Sequence, residues 1–315
     1  MKKLSVVVPC YNESPNIVNT INRIETNIKK ISQNYEIIFV DDGSRDDSFK
    51  KLTEISKINS NLKIIRFSRN FGHQNAIYAG IESASGDGIF LIDADLQDPP
   101  EKFQEMFNKW QEGYDVVYGV RRSRKGSLFK KILYSTYHKM FKWLSDLDSQ
   151  ADLADFCLMD KKIKDIFLQI KEKNLYFRGL RSWVGFKQIG VPYDRDDRNL
   201  GETKYSLGKL FQLAFDGIFN FSIKPLNFIF LTGLSMFIFS IFLIVFYLSQ
   251  KFFGFSFLGV TPSETKGFYT TISIVLFFGG INLTALGIIG EYIGRLYREV
   301  KERPKYIIQD KTNFK

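Results

Sequence analysis

The residues of this chain whose spacing most clearly suggests chemistry are Asp93 and Asp95, which follow an apolar run at residues 89–92. Two carboxylates one residue apart at the end of a buried strand favour a hard divalent cation, Mg2+ or Mn2+, over zinc. Gln97 adds an amide oxygen nearby. The sequence therefore predicts a metal site at Asp93, Asp95 and Gln97 that can hold a diphosphate, with a solvated acidic loop as the alternative.

Four further polar clusters also follow apolar runs. Ligands of parallel sheets bind beyond the carboxyl ends of the strands, so clusters in that position are expected at one edge. The cluster at residues 41–44 could alternatively be a turn with a helix cap. At Asp98 the expected feature is a turn that opens a helix. His73 is interpreted as a packing or capping residue. The four clusters are residues 9–13, 41–44, 68–73 and 119–122.

The apolar runs predict short strands separated by helices. Five runs rich in Val and Ile are expected to be strands, and four segments have helical spacing. Strands that alternate with helices predict an α/β fold with a mostly parallel sheet covered on both faces. The predicted strands are residues 4–8, 36–40, 62–67, 89–92 and 116–118, and the predicted helices are residues 16–32, 46–59, 74–83 and 100–111.

Composition argues against several classes of protein. The two cysteines, Cys10 and Cys157, are too few for a disulfide framework or a zinc site, and the two histidines are too few for a His-rich metal site. The sequence contains neither a G-x-G-x-x-G after the first strand nor a P-loop motif, which disfavours nicotinamide, flavin and P-loop nucleotide sites. The excess of 44 Lys and Arg over 34 Asp and Glu indicates an anionic lipid or ligand. Nucleic acid is the competing partner, and no motif supports it.

Two long uncharged apolar segments, residues 225–250 and 267–290, predict two membrane-spanning helices. Each exceeds the ~20 residues that a helix needs to cross a bilayer, and a buried helical hairpin is the alternative. The apolar start of the chain is too short for a signal peptide. Basic residues are more numerous after the second segment than between the two, so the positive-inside rule predicts an outer loop and cytosolic termini. The basic residues after the second segment include Arg295, Arg298, Lys301, Arg303 and Lys305.

The middle of the chain combines basic residues with apolar residues at helical spacing. Residues 126–147 and 205–224 predict two amphipathic helices suited to the headgroup layer of a membrane. A pair of helices packed in the core is the alternative. Between them, Arg198 and Lys204 lie in a polar stretch with Gly201 that favours anion binding.

The ordered series of motifs resembles the family 2 glycosyltransferases, in the branch that acts on polyprenyl phosphates. The resemblance spans nearly the whole chain. It departs from the family pattern at Ser14-Pro15, where acids are frequent, and at Cys157, where arginine is frequent. The motifs that carry it are Val7-Val8-Pro9-Cys10-Tyr11-Asn12-Glu13, Asp41-Asp42-Gly43-Ser44, Arg69-Asn70-Phe71-Gly72-His73-Gln74, Asp93-Ala94-Asp95-Leu96-Gln97-Asp98-Pro99-Pro100, Asp155-Phe156, Phe177-Arg178-Gly179, Gly201-Glu202-Thr203-Lys204-Tyr205 and Gly290-Glu291-Tyr292-Ile293-Gly294-Arg295.

The resemblance implies a GT-A Rossmann-like fold and a nucleotide-diphosphate sugar as donor. Asp95 and Gln97 would hold Mg2+ or Mn2+ on the diphosphate, and Asp93 would contact the metal or the ribose. The other positions expected to bind the donor are Pro9, Tyr11, Glu13, Asp42 and Ala94.

The acceptor implied by the resemblance is a polyprenyl phosphate, which would be glycosylated by an inverting displacement. Arg121 and Arg198 would contact the acceptor phosphate or the leaving diphosphate, with Lys204 nearby. Asp155 would lie close to the reacting centre, as a base or as an orienting group. Asp155, Asp95 and Arg121 form the expected catalytic set.

The expected organisation is a cytosolic GT-A catalytic domain at residues 1–204, a juxtamembrane amphipathic helix at 205–224, two transmembrane helices at 225–290 and a basic cytosolic tail at 291–315. The chain would lie in the inner or plasma membrane. Gly287, Gly290 and Gly294 would allow close helix packing, which favours a homo-oligomer.

The expected function is transfer of a sugar to undecaprenyl phosphate at the cytoplasmic leaflet. Glucose from UDP-glucose ranks first, followed by N-acetylglucosamine and by mannose from GDP-mannose, and an aminoarabinose also fits. A processive polysaccharide synthase would need more spans and a Q-x-x-R-W motif, which the sequence does not supply. A flippase would need more than two spans. A non-catalytic sugar-nucleotide sensor or scaffold is the alternative from another class.

Overall fold

The structure is a computed structural model that describes residues 2–121, 153–172, 175–194, 224–253 and 268–314. Both predicted amphipathic helices, at 126–147 and 205–224, lie outside the described residues, except for residue 224. So do Arg198 and Lys204. The chain divides into two units, one formed by Met1–Gly217 with Arg303–Lys315 and the other by Ile218–Glu302.

Strands and helices alternate through the first half of the chain, as the sequence predicted. A single 3-10 turn, Pro100–Lys102, precedes the fourth helix. The strands are β1 Leu4–Cys10, β2 Tyr35–Asp41, β3 Leu62–Phe67, β4 Gly88–Leu91, β5 Val116–Arg121, β6 Leu153–Asp160, β7 Gln188–Tyr193 and β8 Ile308–Thr312. The helices are α1 Ile17–Ile28, α2 Ser48–Ser56, α3 His73–Ser83, α4 Phe103–Gln111, α5 Lys161–Gln169, α6 Phe177–Trp183, α7 Lys224–Phe253 and α8 Phe268–Val300.

The eight strands form one mixed sheet in the order β7-β5-β6-β4-β1-β2-β3-β8. All strands run in the same direction except β6 and β8, which are antiparallel to their neighbours. This mostly parallel α/β sheet confirms the predicted fold class. Every residue of β1 and β2 is buried, as continuous apolar strands in a sheet covered on both faces must be.

Helix α1 illustrates how the pattern of apolar residues covers the sheet. Ile17, Ile21, Ile24 and Ile28 recur at helical spacing and are all buried in the same core as β1 and β2. In the same core, Phe90 of β4 stacks on Phe103 of α4 with ring centroids 4.3 Å apart. These contacts hold the strand that precedes the Asp93–Asp95 motif.

The antiparallel strand β6 was not predicted. It inserts between β4 and β5, with Leu91 opposite Cys157 and Tyr118 opposite Cys157 on the other side. Continuing the β4–β6 register by two residues sets Asp155 opposite Asp93. Asp93 and Asp155, which are far apart in sequence, therefore meet at the edge of the sheet.

The end of the chain also differs from the prediction of a basic tail at 291–315. Helix α8 continues to Val300, and the residues after it return to the sheet as β8, antiparallel to β3. Tyr306 stacks on Phe67 with ring centroids 4.8 Å apart. Asn313 Nδ2 donates to the carbonyl oxygens of Ser56 and Leu62 at 2.9 and 2.8 Å. A short strand with a charged face covers the edge of β3, which limits pairing with other chains.

The second unit contains helices α7 and α8, of 30 and 33 residues. Among the described residues, one stretch of 21 residues, Phe277–Tyr297 in α8, is long and apolar enough to cross a bilayer, with mean hydropathy 1.2. The prediction of two spans is therefore not confirmed. Within that stretch Arg295 pairs with Glu291 one turn earlier, Nη2 to Oε1 at 2.8 Å, so the two charges offset each other.

A buried carboxylate organises the opposite edge of the sheet, at the amino ends of the strands. Glu36 of β2 accepts hydrogen bonds from Ser5 Oγ at 2.6 Å and from Ser85 N at 2.7 Å. Lys63 Nζ lies 2.7 Å from Glu36 Oε2, and the Glu36 side chain is 3% exposed. Burial favours the neutral acid, but Lys63 and the hydrogen bonds outweigh it and lower the pKa of Glu36 to about 2.

The lowered pKa of Glu36 makes a testable contribution to stability. The folded-state pKa lies below the unfolded one, so the contribution is present above about pH 4.5 and is lost as the pH falls towards 2. We expect Glu36→Gln to lower the free energy of unfolding by about 1–3 kcal/mol at pH 7, because Lys63 loses its buried anion. The destabilisation should shrink below pH 4. Denaturant unfolding of the purified protein measures this. Glu54→Gln, an exposed change on α2, is the control, and equal unfolding curves for both variants at pH 7 would contradict the assignment.

Candidate active site

The candidate site lies where the carboxyl ends of β1, β2, β4, β5 and β7 meet the amino end of β6. The polar clusters predicted to follow β1, β2, β4 and β5 are brought to this edge. Strands β1, β2 and β5 run slightly further than expected, because Pro9, Asp41 and Arg121 are strand residues rather than loop residues, whereas β4 ends one residue earlier than expected.

Hydrogen bonds join the loops after β1 and β2. Asn12 N donates to Ser44 Oγ at 2.9 Å, and Arg45 N donates to Asn12 Oδ1 at 2.8 Å. Asn12 adopts a positive φ of 54°, a conformation that asparagine tolerates better than most residues. These bonds fix the backbone around three of the predicted donor-binding residues, which are Pro9, Tyr11 and Glu13.

Asp42 anchors the loop after β3. Its carboxylate accepts from Phe71 N at 2.6 Å and from Gly72 N at 3.0 Å. Burial raises the pKa of Asp42 to about 6 against the lowering effect of these two bonds. Gly43 has φ 68°, and a Cβ there would lie 2.5 Å from the backbone carbon of Arg69, so only glycine lets the two loops approach this closely. The contact of Asp42 with a nucleotide remains a prediction.

Asp93 lies in a crowd of negative charge. Burial raises its pKa to about 6, His73 lowers it, and the nearby Asp98, Asp155 and Asp95 raise it further. Its Oδ1 atom is buried and accepts no hydrogen bond from the described residues. A buried carboxylate oxygen without a donor is costly unless a cation completes it.

The residues of the predicted metal site fit a cation that is shared with a substrate. Among the residues described, no three His, Cys, Asp or Glu side chains are grouped to hold a metal. Mg2+ is commonly held by one or two carboxylates, with substrate phosphates and water as the other ligands. Asp93 offers its buried Oδ1, while Asp95 Oδ1 accepts from Gln97 N at 3.2 Å. The backbone bond sets the Asp95–Gln97 turn, and the donor set suits Mg2+ or Mn2+.

Asp155 of β6 is paired with Arg178 of α6. Arg178 Nε donates to Asp155 Oδ1 at 2.9 Å, and Arg178 Nη2 donates to Oδ2 at 2.8 Å. The Asp155 side chain is 6% exposed and that of Arg178 is 36% exposed. Burial favours the neutral acid, but Arg178, with help from His73 and Arg181, lowers the pKa of Asp155 to about 2. Asp155 is therefore ionised and a weak base at neutral pH.

His73 links the two acids at the sheet edge. Its Nε2 atom lies 3.5 Å from Asp93 Oδ1 and 3.9 Å from Asp155 Oδ2. The next residue, Gln74, accepts from Phe177 N at 2.8 Å through Oε1, which positions the start of α6 and hence Arg178. His73 thus sits within the site, although the sequence interpretation gave it only a packing or capping role.

Arg121 is joined to the metal-site loop through one phenol. Arg121 Nε donates to Tyr193 OH at 3.2 Å, and Tyr193 OH donates to Asp98 Oδ1. Tyr193 and Asp98 are each 1% exposed. Burial of the Tyr193 phenol and the Asp98 charge raise the pKa of Tyr193, so it stays protonated and able to donate. Asp98, expected only to open a helix, also holds this network.

The Tyr193 ring depends on a glycine opposite it. A Cβ on Gly119 would lie 2.6 Å from Tyr193 Cε1 and 2.9 Å from Phe156 Cδ1. The Phe156 and Tyr193 rings meet edge to face with centroids 5.6 Å apart. A larger residue at 119 would displace the ring that carries the phenol.

A second arginine of α6 lies behind Asp155. Arg181 is 2% exposed, and its Nη1 donates to the Ala154 carbonyl at 2.9 Å. Its guanidinium lies over the Tyr118 ring, 4.9 Å from the centroid. Cys157 lies in the same region, and burial raises its pKa to about 11 despite the lowering effect of Arg181. The Cys157 thiol is therefore neutral and contributes no charge to the site.

Sequence reasoning assigned no role to Arg178 or Tyr193. Arg178 belongs to a motif of the resemblance, which was a usable signal. Tyr193 is the last residue of β7, a strand that was not predicted, and it had no local signal. Ala94, a predicted donor-binding residue, is 2% exposed and its carbonyl accepts from Thr20 Oγ1 at 3.1 Å.

Comparison with known proteins gives consistent matches over the chain. The family described as Glycosyl transferase family 2 matches residues 5–173. An uncharacterized glycosyltransferase of Bacillus subtilis, YkcC, is 49% identical over 310 residues, covering 97% of this chain and 93% of the relative. A prophage bactoprenol glucosyl transferase homolog of Escherichia coli is 36% identical, covering 98% of each chain. The bactoprenol glucosyl transferase of Shigella phage SfII is 34% identical, covering 98% of this chain and 97% of that one.

A solved structure of more remote similarity is the mannosyltransferase PcManGT of Pyrobaculum calidifontis in complex with GDP-Man and Mn2+. It is 17% identical with a TM-score of 0.44, and the match covers 61% of this chain and 55% of that one. A similarity this low assigns no ligand to this chain.

The phenol of Tyr193 provides a test of the network. We expect Tyr193→Phe to lower the free energy of unfolding by about 1–3 kcal/mol, because the buried Asp98 carboxylate loses the hydrogen bond from Tyr193 OH. Thermal and denaturant unfolding of the purified protein measure the change. Tyr114→Phe is the matched control, since Tyr114 lies before β5 with Lys187 over its ring. Stability equal to that of the control would show that the hydrogen bond from Tyr193 to Asp98 makes no net contribution to the free energy of unfolding.

Proposed function

Because this chain belongs to glycosyl transferase family 2 and is a glycosyltransferase, we propose that it transfers a sugar from a nucleotide-diphosphate sugar to a polyprenyl phosphate, undecaprenyl phosphate, at the cytoplasmic leaflet. One observation carries the proposal. The carboxylates of Asp93 and Asp95 and the guanidiniums of Arg121 and Arg178 lie at the same edge of one sheet. That arrangement suits the joining of two anionic substrates.

The acceptor class is supported by relatives that match over nearly their whole length. Proteins named bactoprenol glucosyl transferase, from a phage and a prophage, share 34–36% identity with at least 97% of both chains covered. Their names also support glucose, with UDP-glucose ranked first as donor. UDP-N-acetylglucosamine and GDP-mannose remain alternatives for the same chemistry.

The donor would lie against the loops after β1, β2 and β4. We assign its nucleoside to Pro9, Tyr11, Glu13 and Asp42, with the backbone at Ala94. The hydrogen bonds between the first two loops support this, because a pre-formed backbone loses little freedom on binding.

A divalent cation, Mg2+ or Mn2+, would be held by Asp95 and Gln97 with Asp93. When bound, such an ion neutralises charge on a diphosphate and stabilises its departure. The buried Oδ1 atom of Asp93, which accepts no hydrogen bond from the residues the structure describes, supports a cation there.

The acceptor phosphate is already anionic, so its oxygen needs little help from a base to attack the sugar carbon. The low pKa of Asp155, about 2, and its pairing with Arg178 suit an orienting group rather than a proton acceptor. Arg121 would stabilise the acceptor phosphate or the leaving diphosphate, as arginines do by bidentate hydrogen bonding. We extend the same role to Arg198 and Lys204 from the sequence alone. The expected outcome is a single displacement with inversion.

We also propose that α7 and α8 both span the membrane, with the catalytic unit and both termini in the cytosol. Helix α7 has 30 residues, and its exposed side chains include Phe228, Phe230, Phe239 and Phe242. Exposed aromatic side chains of this number suit lipid better than water. The glycines Gly287, Gly290 and Gly294 support association of α8 with another copy, since nothing described lies within 4 Å of a Cβ built on them.

One assay tests the proposed function. Purified full-length protein is mixed with undecaprenyl phosphate, Mg2+ or Mn2+, and a panel of labelled nucleotide sugars, and label is extracted into chloroform. Extractable label with UDP-glucose is expected. Nucleotide binding without extractable label from any donor would instead favour a sugar-nucleotide sensor.

In that assay Asp95→Asn should lower turnover by at least about 100-fold, because an amide is a poorer ligand for a hard cation than a carboxylate. Chelation of divalent metal should abolish wild-type turnover, and added Mn2+ or Mg2+ should restore it. Asp165→Asn, an exposed change on α5, is the control. Near-normal turnover of Asp95→Asn would refute the metal assignment.

The topology is tested by labelling engineered cysteines in intact cells. Ser263→Cys, between the two helices, should react with a membrane-impermeant maleimide, whereas Lys57→Cys should react only after the membrane is permeabilised. The two native cysteines are buried, so background is low. Equal reactivity of both variants in intact cells would contradict the proposed orientation.

A further inference from the structure

Four ionisable side chains form a row of consecutive contacts at the sheet edge. Asp93 lies beside His73, His73 lies beside Asp155, and Asp155 is bound by Arg178. The order of this row matters, because it begins at the predicted metal site and ends on a guanidinium. Arg178 is therefore the cationic end of the row.

Arg178 is both held in place and accessible. Two of its nitrogens, Nε and Nη2, are committed to Asp155 at 2.9 and 2.8 Å, and Nη1 makes no hydrogen bond with the residues the structure describes. Its side chain is 36% exposed, whereas that of Asp155 is 6% exposed. A fixed guanidinium with free donors loses little entropy when it binds an anion.

A second arginine, Arg121, lies at the same edge of the sheet. It is the last residue of β5, and Val120 beside it pairs with Leu153 at the start of β6, the strand that carries Asp155. Arg121 is oriented through Tyr193 OH, just as Arg178 is oriented through Asp155. Burial lowers the pKa of Arg121, Tyr193 and Asp98 raise it by more, and the charge on Arg178 lowers it again. Two guanidiniums that separate partners hold at one edge of the sheet suit the binding of one anion.

Asp155 does not cancel this cationic character. Arg181, which is 2% exposed, also acts on Asp155, and its Nε and Nη2 have no hydrogen-bond partner among the described residues. Of the two arginines, Arg178 pairs with Asp155, and Arg181 adds positive charge behind it. A phosphate monoester carries more than one negative charge near neutral pH, so it suits a site with several arginines.

We propose that Arg178 and Arg121 together bind the phosphate group of the lipid acceptor, and that Asp155 is a positioning residue that aims Arg178. This inference rests on the proposed function for the identity of the acceptor. It assigns Arg178 a contact with the acceptor. It also means that Asp155 does not accept a proton in the reaction.

Binding of farnesyl phosphate, a short lipid phosphate, to the full-length protein in detergent tests the proposal without any turnover. Arg178→Gln should weaken farnesyl phosphate binding by at least 10-fold, while binding of UDP stays within twofold of the wild type. The affinity of Arg178→Lys for farnesyl phosphate should lie between those of Arg178→Gln and the wild type, because lysine keeps the positive charge but cannot make the two-nitrogen contact. Arg23→Gln should bind like the wild type, because Arg23 makes the same two-nitrogen contact to a carboxylate, Glu101, at 3.2 and 2.8 Å. All variants should bind farnesol, which lacks the phosphate, with the same affinity as the wild type.

Asp155→Asn separates positioning from simple electrostatics. Removing a negative charge beside an anion site would by charge alone tighten farnesyl phosphate binding. If Asp155 aims Arg178, the same change weakens binding several-fold, because the amide cannot accept both donors of the fork. Tighter binding by Asp155→Asn would overturn the positioning role.

The results also separate this proposal from the proposed function. Wild-type affinity of Arg178→Gln for farnesyl phosphate, or equal losses of farnesyl phosphate and UDP, would overturn the phosphate site. Selective loss of farnesyl phosphate binding in a protein that transfers no sugar from any donor would support the phosphate site while refuting the transferase proposal. Addition of guanidinium to Arg178→Ala should restore part of the farnesyl phosphate binding, which a purely structural role would not allow.

Discussion

The two-point contact between Arg178 and Asp155 is the interaction on which the rest of the site depends. Asp93, Asp95, Asp98 and Asp155 crowd one edge of the sheet, and burial alone would favour the neutral forms of Asp93 and Asp155. Arg178, with His73 and Arg181, keeps Asp155 ionised, and Gln74 positions the helix that carries Arg178. An acidic site can persist at this edge because each carboxylate has a cation or a donor near it. His73 Nε2 lies 3.5 Å from the buried Oδ1 atom of Asp93, which accepts no hydrogen bond from the described residues and suits a metal ion.

The sheet separates two kinds of charge. Its parallel half, β1 to β4, supplies the Asp93–Asp95 motif and loops that are joined to one another by hydrogen bonds. The other half, β5 to β7 with α6, supplies Arg121, Arg178 and Arg181. Such a division suits the proposed reaction between two anions, because a metal held on the carboxylates would bind one substrate and the guanidiniums would bind the other. The phenol of Tyr193 ties the halves together, since it contacts Arg121 on one side and Asp98 on the other.

The far edge of the sheet is completed by the last residues of the chain. Strand β8 covers β3, and Tyr306 and Asn313 attach it to Phe67, Ser56 and Leu62. A parallel sheet with an open edge strand invites pairing with other chains, and a short charged strand prevents it. The chain that leaves the sheet unit for α7 and α8 thus returns to it, so the polypeptide joins the two units at two points rather than one.

The sequence by itself determined the elements whose signals are local. Alternation of apolar strands with amphipathic helices predicted β1 to β5 and α1 to α4, and the position of Asp42, Asp93 and Asp95 after strands predicted the edge where they meet. Tertiary structure decided the pairings between residues distant in the chain. Asp98 and Tyr193 are 95 residues apart, and Phe177 and Gln74 are 103 apart. The insertion of β6, the return of β8 and the orientation of Arg178 depend on such pairings. No short window of sequence carries them, because their free energy comes from burial and hydrogen bonds that exist only after the sheet has formed.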